Sequence, residues 1–289
     1  MSKKSKTKSK MRLGQRILLI VAILMLLTGV GFLLFPPISN TVGQVRANAI
    51  INDYEASLNA VYDPASPDSA SEKVRRRVTS STFEQARQKG EVDKEGYAIN
   101  ENGERISSLP VIFQADLDRL RRDSIAYNQS LLNHQGTPDT TDFERAAFDL
   151  GSYGLTNIYA FLKADSIGLS LPVYLGANDW AMSCGGAHLY GTSLPVNMNS
   201  TNVAIAGHTG YVGRIFFDNI RNLQYGDTVT ITNYWETITY KVIDFKEVAP
   251  GEANDVLIKP NRRLLTLITC TPSDYGGFNR FLVICESAA

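Results

Sequence analysis

The run Thr228-Val229-Thr230-Ile231-Thr232, followed by Thr237-Ile238-Thr239-Tyr240-Lys241-Val242-Ile243, decides the fold class. Apolar side chains alternate with hydroxyl or charged ones in both, the period-two pattern of a half-buried β-strand, and β-branched residues dominate. Gln224-Tyr225-Gly226-Asp227, just upstream, has the composition of a turn. Working outward, Ile158-Tyr159-Ala160-Phe161-Leu162, Leu171-Pro172-Val173-Tyr174-Leu175 and Val203-Ala204-Ile205-Ala206 read as earlier strands, and residues 264–270 and 280–285 as later ones. Seven short strands between residues 155 and 289, with only brief helical interruptions, predict a mainly β domain that is a closed barrel or a sandwich.

Upstream of residue 155 the texture differs. Residues 116–132 return to helical spacing through Leu117, Leu120, Ile125, Tyr127 and Leu131. Gly96-Tyr97-Ala98-Ile99-Asn100-Glu101-Asn102-Gly103-Glu104-Arg105-Ile106 has Asn-Gly between short apolar runs, the signature of a small hairpin. Residues 69–94 read as a partly helical, mostly solvated stretch that includes Arg75-Arg76-Arg77, and Asp63-Pro64-Ala65-Ser66-Pro67-Asp68 breaks the pattern before it. Residues 41–60 have apolar positions at Val42, Val45, Ala49, Ile50, Tyr54 and Leu58, which suit another helix.

Before that helix, residues 17–35 read ILLIVAILMLLTGVGFLLF, nineteen positions without a charge. At 1.5 Å per residue this is about the length that crosses a bilayer core of roughly 30 Å. Ala47-Asn48-Ala49 resembles a signal cleavage triplet, but it lies well past the apolar run, and the run is longer than a signal core of roughly 7–15 residues. An uncleaved anchor is therefore expected. Lys3, Lys4, Lys6, Lys8, Lys10, Arg12 and Arg16 precede it, so the positive-inside rule predicts a cytoplasmic N-terminus and an extracellular remainder, in a single-pass protein of the cell membrane. Residues 1–52 hold eight of the 29 basic and none of the 29 acidic residues, leaving minus eight for the rest. That balance argues against a nucleic-acid partner. With 289 residues, 44% hydrophobic and 20% charged, the chain has room for one well-buried domain plus attachments and is not disordered as a whole.

Cys184, Cys270 and Cys285 are an odd number, so at least one is unpaired within the chain. They are far apart, no Cys-x-x-Cys occurs, and His134, His188 and His208 lack ligand spacing, so no metal site is expected. Leu265-Thr266-Leu267-Ile268-Thr269-Cys270-Thr271-Pro272 is a buried-looking strand that ends in a cysteine and is stopped by proline. Packing is the ordinary reading of such a cysteine. However, Arg280 opens the next strand after a loop containing Gly276-Gly277, and antiparallel pairing would bring both side chains to one end of the sheet, where a guanidinium favours thiolate. Ala204-Ile205-Ala206-Gly207-His208-Thr209-Gly210 runs a strand into a glycine-flanked histidine at a loop mouth. Thiol, imidazole and an oxyanion donor are what cysteine-based acyl transfer needs.

Taken in order, these motifs resemble those of sortases, membrane-anchored cysteine transpeptidases of Gram-positive bacteria. The resemblance rests on His208 after a strand, Thr266-Leu267-Ile268-Thr269-Cys270 and Arg280, and also takes in Leu171-Pro172-Val173-Tyr174-Leu175-Gly176 and His188-Leu189-Tyr190-Gly191-Thr192-Ser193-Leu194-Pro195. It implies a closed sortase-type β-barrel of about eight strands with short helices in residues 155–289. Ahead of it would lie a basic head (1–16), the transmembrane helix (17–35) and a mostly helical extracellular region (36–154). Cys270-Thr271-Pro272, the long pre-barrel region and Ala126-Tyr127-Asn128 with Leu131-Leu132 are most similar to class C, the pilin-polymerising sortases.

By that resemblance Cys270 attacks a Leu-Pro-x-Thr-Gly-like sorting signal to form a thioacyl enzyme, His208 is general acid and base, Arg280 orients the peptide and stabilises the oxyanion, and Thr269 lies on the substrate-facing rim. The acceptor amine is a pilin lysine or, in a housekeeping member, a cell-wall peptide. No cofactor is implied. Class C members often carry an Asp-Pro-aromatic lid; here Asp63-Pro64 is followed by Ala65, and the nearest later match is Asp142-Phe143, within a candidate lid over residues 135–154. A non-enzymatic anchored barrel that binds surface proteins would explain the span and the strands, but it leaves the His, Cys and Arg positions to coincidence.

Overall fold

The computed structural model describes residues 13–66, 69–134, 142–211, 213–252, 254–274 and 276–287. It opens on α1 (Leu13–Leu58), a single helix of 46 residues. The apolar run lies inside α1 with its side chains exposed, and the helix is long and apolar enough to cross a membrane. Pro36 and Pro37 lie within α1 and lack the N–H groups that would bond back to the preceding turn, yet the helix continues through them. Its last turns pack on the body of the protein: Tyr54 is buried with its ring 4.6 Å from that of Phe161 and 4.8 Å from that of Tyr234, and Glu55 pairs with Lys163 at 2.6 Å.

Residues 61–113 fold beside the barrel rather than lying solvated. Strand β1 (Val61–Tyr62) pairs in parallel with β2 (Ile112–Phe113), flanking the six-residue helices α2 (Glu72–Arg77) and α3 (Phe83–Gln88). Tyr62, Val74, Val78, Phe83, Val92, Val111 and Phe113 make a core of their own. Arg77 belongs to that fold, donating to the carbonyls of Ile99 and Gly90 at 2.8 Å each. The expected Asn102-Gly103 turn is closed by an Asn100 N–H to Glu104 O bond of 2.9 Å and flanked by an Ile99–Arg105 bridge. Helix α4 (Gln114–His134) follows and buries Leu117 and Leu120 against the barrel. Asp116, on its first turn, accepts from Phe83 N–H at 2.7 Å and so ties α3 to α4.

Eight strands then close a barrel: β3 (Ile158–Ala164), β4 (Leu169–Leu175), β5 (Gly186–His188), β6 (Thr201–Ala206), β7 (Thr228–Thr232), β8 (Thr237–Val248), β9 (Arg263–Pro272) and β10 (Phe278–Glu286). A short helix, α5 (Asp179–Cys184), connects β4 to β5. Around the barrel the order is β10-β8-β7-β3-β4-β5-β6-β9, with β9 returning to β10; the pairs β4–β5 and β6–β9 are parallel and the rest antiparallel. Closure removes the sheet edges that a sandwich would leave. The alternating positions read from the sequence point inward: Val229, Ile231, Tyr240, Val242, Leu265, Leu267 and Val283 share the interior with Leu162 and Ile205, while Phe161 faces outward onto Tyr54 of α1.

Candidate functional site

Three strand ends build the site. In the β9–β10 ladder Arg280 lies directly opposite Cys270. Directly paired residues of an antiparallel ladder project to the same face, so thiol and guanidinium stand together. On the other side of β9, the parallel β6 register runs through Ala206 opposite Ile268, and Gly207 N–H continues it with a 3.0 Å bond to Ile268 O. β6 ends at Ala206, and His208 follows two residues on, at the same end of the sheet as Cys270 and Arg280. Cys270, His208 and Arg280 are all half-buried. Arg280 Nη1 donates to the carbonyls of Phe278 and Asn279 at 3.4 Å each.

The loop after His208 is tightly specified. Phe217 N–H donates to His208 O at 2.9 Å and closes the loop stem. Asp218 clamps it from both sides, accepting from Gly210 N–H at 2.8 Å and Phe216 N–H at 3.0 Å. Tyr211 stacks on the His208 ring, with centroids 5.5 Å apart and planes 15° apart. Gly207 is required because a Cβ there would sit 2.6 Å from the fully buried Phe217 ring.

A groove of about 410 Å³ runs along the outer face of this sheet, lined by Ala206, Ile268, Val256, Leu282 and Arg280 among others. Cys270 follows Ile268 on the same face, which puts the thiol at the end of the groove. Phe143 and Glu144 line it too. Phe143 packs against the cluster of Leu189, Ala204 and Val256, and its carbonyl accepts from Ala177 N–H at 2.8 Å. Asp142, beside it, is exposed, and residues 135–141 of the candidate lid lie outside the described residues.

Thr269, expected at the substrate-facing rim, lies elsewhere. Alternation along β9 turns it to the opposite face from Cys270, it is 2% exposed, and its hydroxyl donates to Gly207 O at 2.7 Å. It thus holds the strand that delivers His208. All three cysteines are free thiols. Cys285 is fully buried inside the barrel, where desolvation pushes its pKa up to about 12, the reverse of what a nucleophile needs. His188 is buried in β5, and desolvation drives its pKa down to about 4. Among the described residues no cluster of three or more His, Cys, Asp or Glu is disposed to hold a metal ion.

Several contributors had no local signal in the sequence. Asp218 and Tyr211 act on His208 through loop closure, and Glu144 reaches the groove from a segment remote in sequence. Arg221 bonds Thr271 and lies 4.8 Å from the Phe281 ring, next to the strand positions that carry Cys270 and Arg280.

A family model described as a sortase domain matches residues 162–288. Among solved structures the chain is similar to a pilus-related sortase C of Group B Streptococcus, at 32% identity and TM-score 0.52, covering 61% of this chain and 91% of that one. It is similar to sortase C-1 of Actinomyces oris at 31% identity and TM-score 0.53, covering 60% and 99% respectively. Sortase A of Corynebacterium diphtheriae aligns at 28% identity and TM-score 0.54, covering 61% and 86%. Comparison with curated protein sequences gives no match.

Proposed function

The chain belongs to the sortase family of cysteine transpeptidases, and we propose that it is a pilin-polymerising member of class C, held at the cell membrane by α1 with its basic head in the cytoplasm and its barrel outside. The observation that carries the catalytic reading is Cys270 directly opposite Arg280, which lines the groove, with His208 just past the end of the neighbouring β6.

The Cys270 thiolate attacks the threonine carbonyl of a Leu-Pro-x-Thr-Gly-like sorting signal carried by a surface or pilin protein. Arg280 donates to the oxyanion that develops, and collapse of the tetrahedral intermediate breaks the Thr–Gly bond as His208 protonates the leaving amine. A thioacyl enzyme remains. An incoming amine, a lysine side chain of the next pilin, loses its proton to His208, attacks the thioester and expels the Cys270 thiolate. Thr269 acts from the barrel side by anchoring the Gly207 carbonyl.

Asp142 and Phe143 form the lid. Phe143 lies in the groove alongside Arg280, where peptide side chains would bind, and the long region before the barrel supplies the segment that carries it. This favours the class C reading over a housekeeping member that transfers to cell-wall peptide.

Mass spectrometry of the full chain mixed with a Leu-Pro-Ala-Thr-Gly peptide and two competing amines, a pilin-type lysine peptide and a cell-wall peptide, tests both parts. A thioacyl adduct on Cys270, absent from Cys270→Ala, and transfer to lysine are expected. An adduct on Cys184 or Cys285 would refute the nucleophile, and transfer only to the cell-wall peptide would refute the class.

A further inference from the structure

The stem of the His208 loop is held by Phe217 and Asp218, but its tip is held by α1. Gly213 N–H donates to Asn40 Oδ1 at 3.1 Å, and Gln44 Nε2 donates to the carbonyl of Ile215 at 3.3 Å. Asn40 and Gln44 are one helical turn apart on the same face of α1. Between them lies Gly43, where a Cβ would clash with the Gly213 carbonyl oxygen, and a Cβ on Gly213 would come within 2.7 Å of Ser39 Oγ. Two glycines thus let the anchor helix and the catalytic loop meet backbone to backbone. Arg214, between the two bonded loop residues, reaches the other way and donates to Cys184 O at 3.2 Å, fixing the tip against α5. Tyr211, two residues from Gly213, stacks on His208. Any displacement of the tip therefore passes through one aromatic ring to the imidazole.

We propose that Asn40, Gly43 and Gln44 are positioning residues for His208, so that the membrane helix completes the active site instead of only tethering it. The inference rests on the role of His208 as acid and base given above. These three residues lie beyond Phe35, the last of the apolar run, by about 8–14 Å along the helix at 1.5 Å per residue. The same contact therefore fixes the catalytic loop close to the bilayer surface, where the sorting signal of a substrate still tethered in that membrane emerges.

The test uses the full chain in nanodiscs with ¹³C-labelled histidine, whose three ring signals arise from His134, His188 and His208. Gly43→Leu and Asn40→Leu should shift the His208 resonance and its titration while leaving that of buried His188 in place. In the same variants kcat for cleavage of a Leu-Pro-Ala-Thr-Gly peptide should fall by roughly a hundred-fold, the cost of a misplacement of about 1 Å, with KM little changed. Asn40→Asp, which keeps the acceptor for Gly213 N–H, should recover most of the loss. A His208 signal unmoved in both leucine variants would overturn the proposal, as would equal movement of His188. If the unsubstituted chain leaves the peptide intact, the sorting-signal reading fails, and the His208 resonance still decides the positioning.

Discussion

His188 and His208 carry one side chain into opposite environments. His208 stands half-buried just past the end of β6, whereas His188 is 1% exposed in β5, with Nε2 3.0 Å from Ser193 O and Nδ1 without a partner among the described residues. Thr192 already donates its hydroxyl proton to Leu189 O, so the tautomer that satisfies Ser193 carries its proton on Nε2 and leaves Nδ1 as a bare acceptor. Protonating that nitrogen would bury an unpaired charge, which is why the pKa falls from 6.5 to about 4. Between those values the unfolded chain binds a proton that the fold refuses, so stability present at neutral pH is lost as pH falls through that window. Urea unfolding from pH 7.5 to 4.5 should give a His188-dependent slope of up to about 1.4 kcal/mol per pH unit. His188→Gln should flatten it; an unchanged slope would assign the loss to other groups. At Arg280, charge and shape are separable. Arg280→Lys keeps the cation but loses the planar fork, and kcat/KM for peptide cleavage should fall by about two to three orders of magnitude, the effect of one lost oxyanion donor. Near-full activity in the lysine variant would mean that charge alone suffices.

At the scale of elements, the groove depends on how closely the segment from Asp142 to Phe148 can lie on β4 and β5. Gly176 adopts φ +83°, and a Cβ there would sit 2.5 Å from Glu144 O and 2.8 Å from Arg145 O. Gly176→Ala therefore adds left-handed strain and a backbone clash where the proposed lid segment sits. Alkylation of Cys270 by iodoacetamide should be faster in this variant than in the unsubstituted chain; equal rates would mean that the segment does not shield the thiol. The strands themselves were legible wherever apolar alternation is long enough to register, as in Thr228–Thr232 and the first seven residues of Thr237–Val248. Strand Gly186–His188 was not, because three residues, Gly, Ala and His, have neither alternation nor β propensity and are extended only by pairing with β4 and β6. Of the candidate site, the sequence expectation that Cys270 and Arg280 share one end of an antiparallel pair matches their register. Thr269 was expected at the rim from a family motif, which names residues without the face they point to; in the fold its hydroxyl turns inward to Gly207. The contact of Gly43 with Gly213 had no local pattern at all, since the hydrogen bonds beside it join residues 171 and 173 positions apart.

The molecule as a whole has two principal cores, with Ile112 packing into the barrel's cluster and a seam of polar contacts between α3 and α4. Tyr62, Val78, Phe83 and Phe113 pack together in residues 61–113, separate from the barrel interior. Across the seam, Phe83 N–H donates to Asp116, which Arg119 approaches at 3.1 Å while also donating to Ser152 O at 2.8 Å and lying 4.2 Å from the Tyr153 ring. Gly154 completes it, because a Cβ there would meet Phe83 at 2.5 Å. Such a seam transmits position, since the Phe83 N–H bond to Asp116 fixes α3 against α4, while the apolar residues of the two cores form separate clusters. A lesion in the smaller core should therefore stay local. Phe113 is fully buried there, and Phe113→Ala should cost about 3–5 kcal/mol, the usual range for emptying such a site. In the full chain, hydrogen exchange should then accelerate across residues 61–113 while the amides of β9 and β10, which carry Cys270 and Arg280, keep their protection. Matching loss of protection in those two strands would instead make the seam a cooperative joint, and the smaller core a direct support of the catalytic strands.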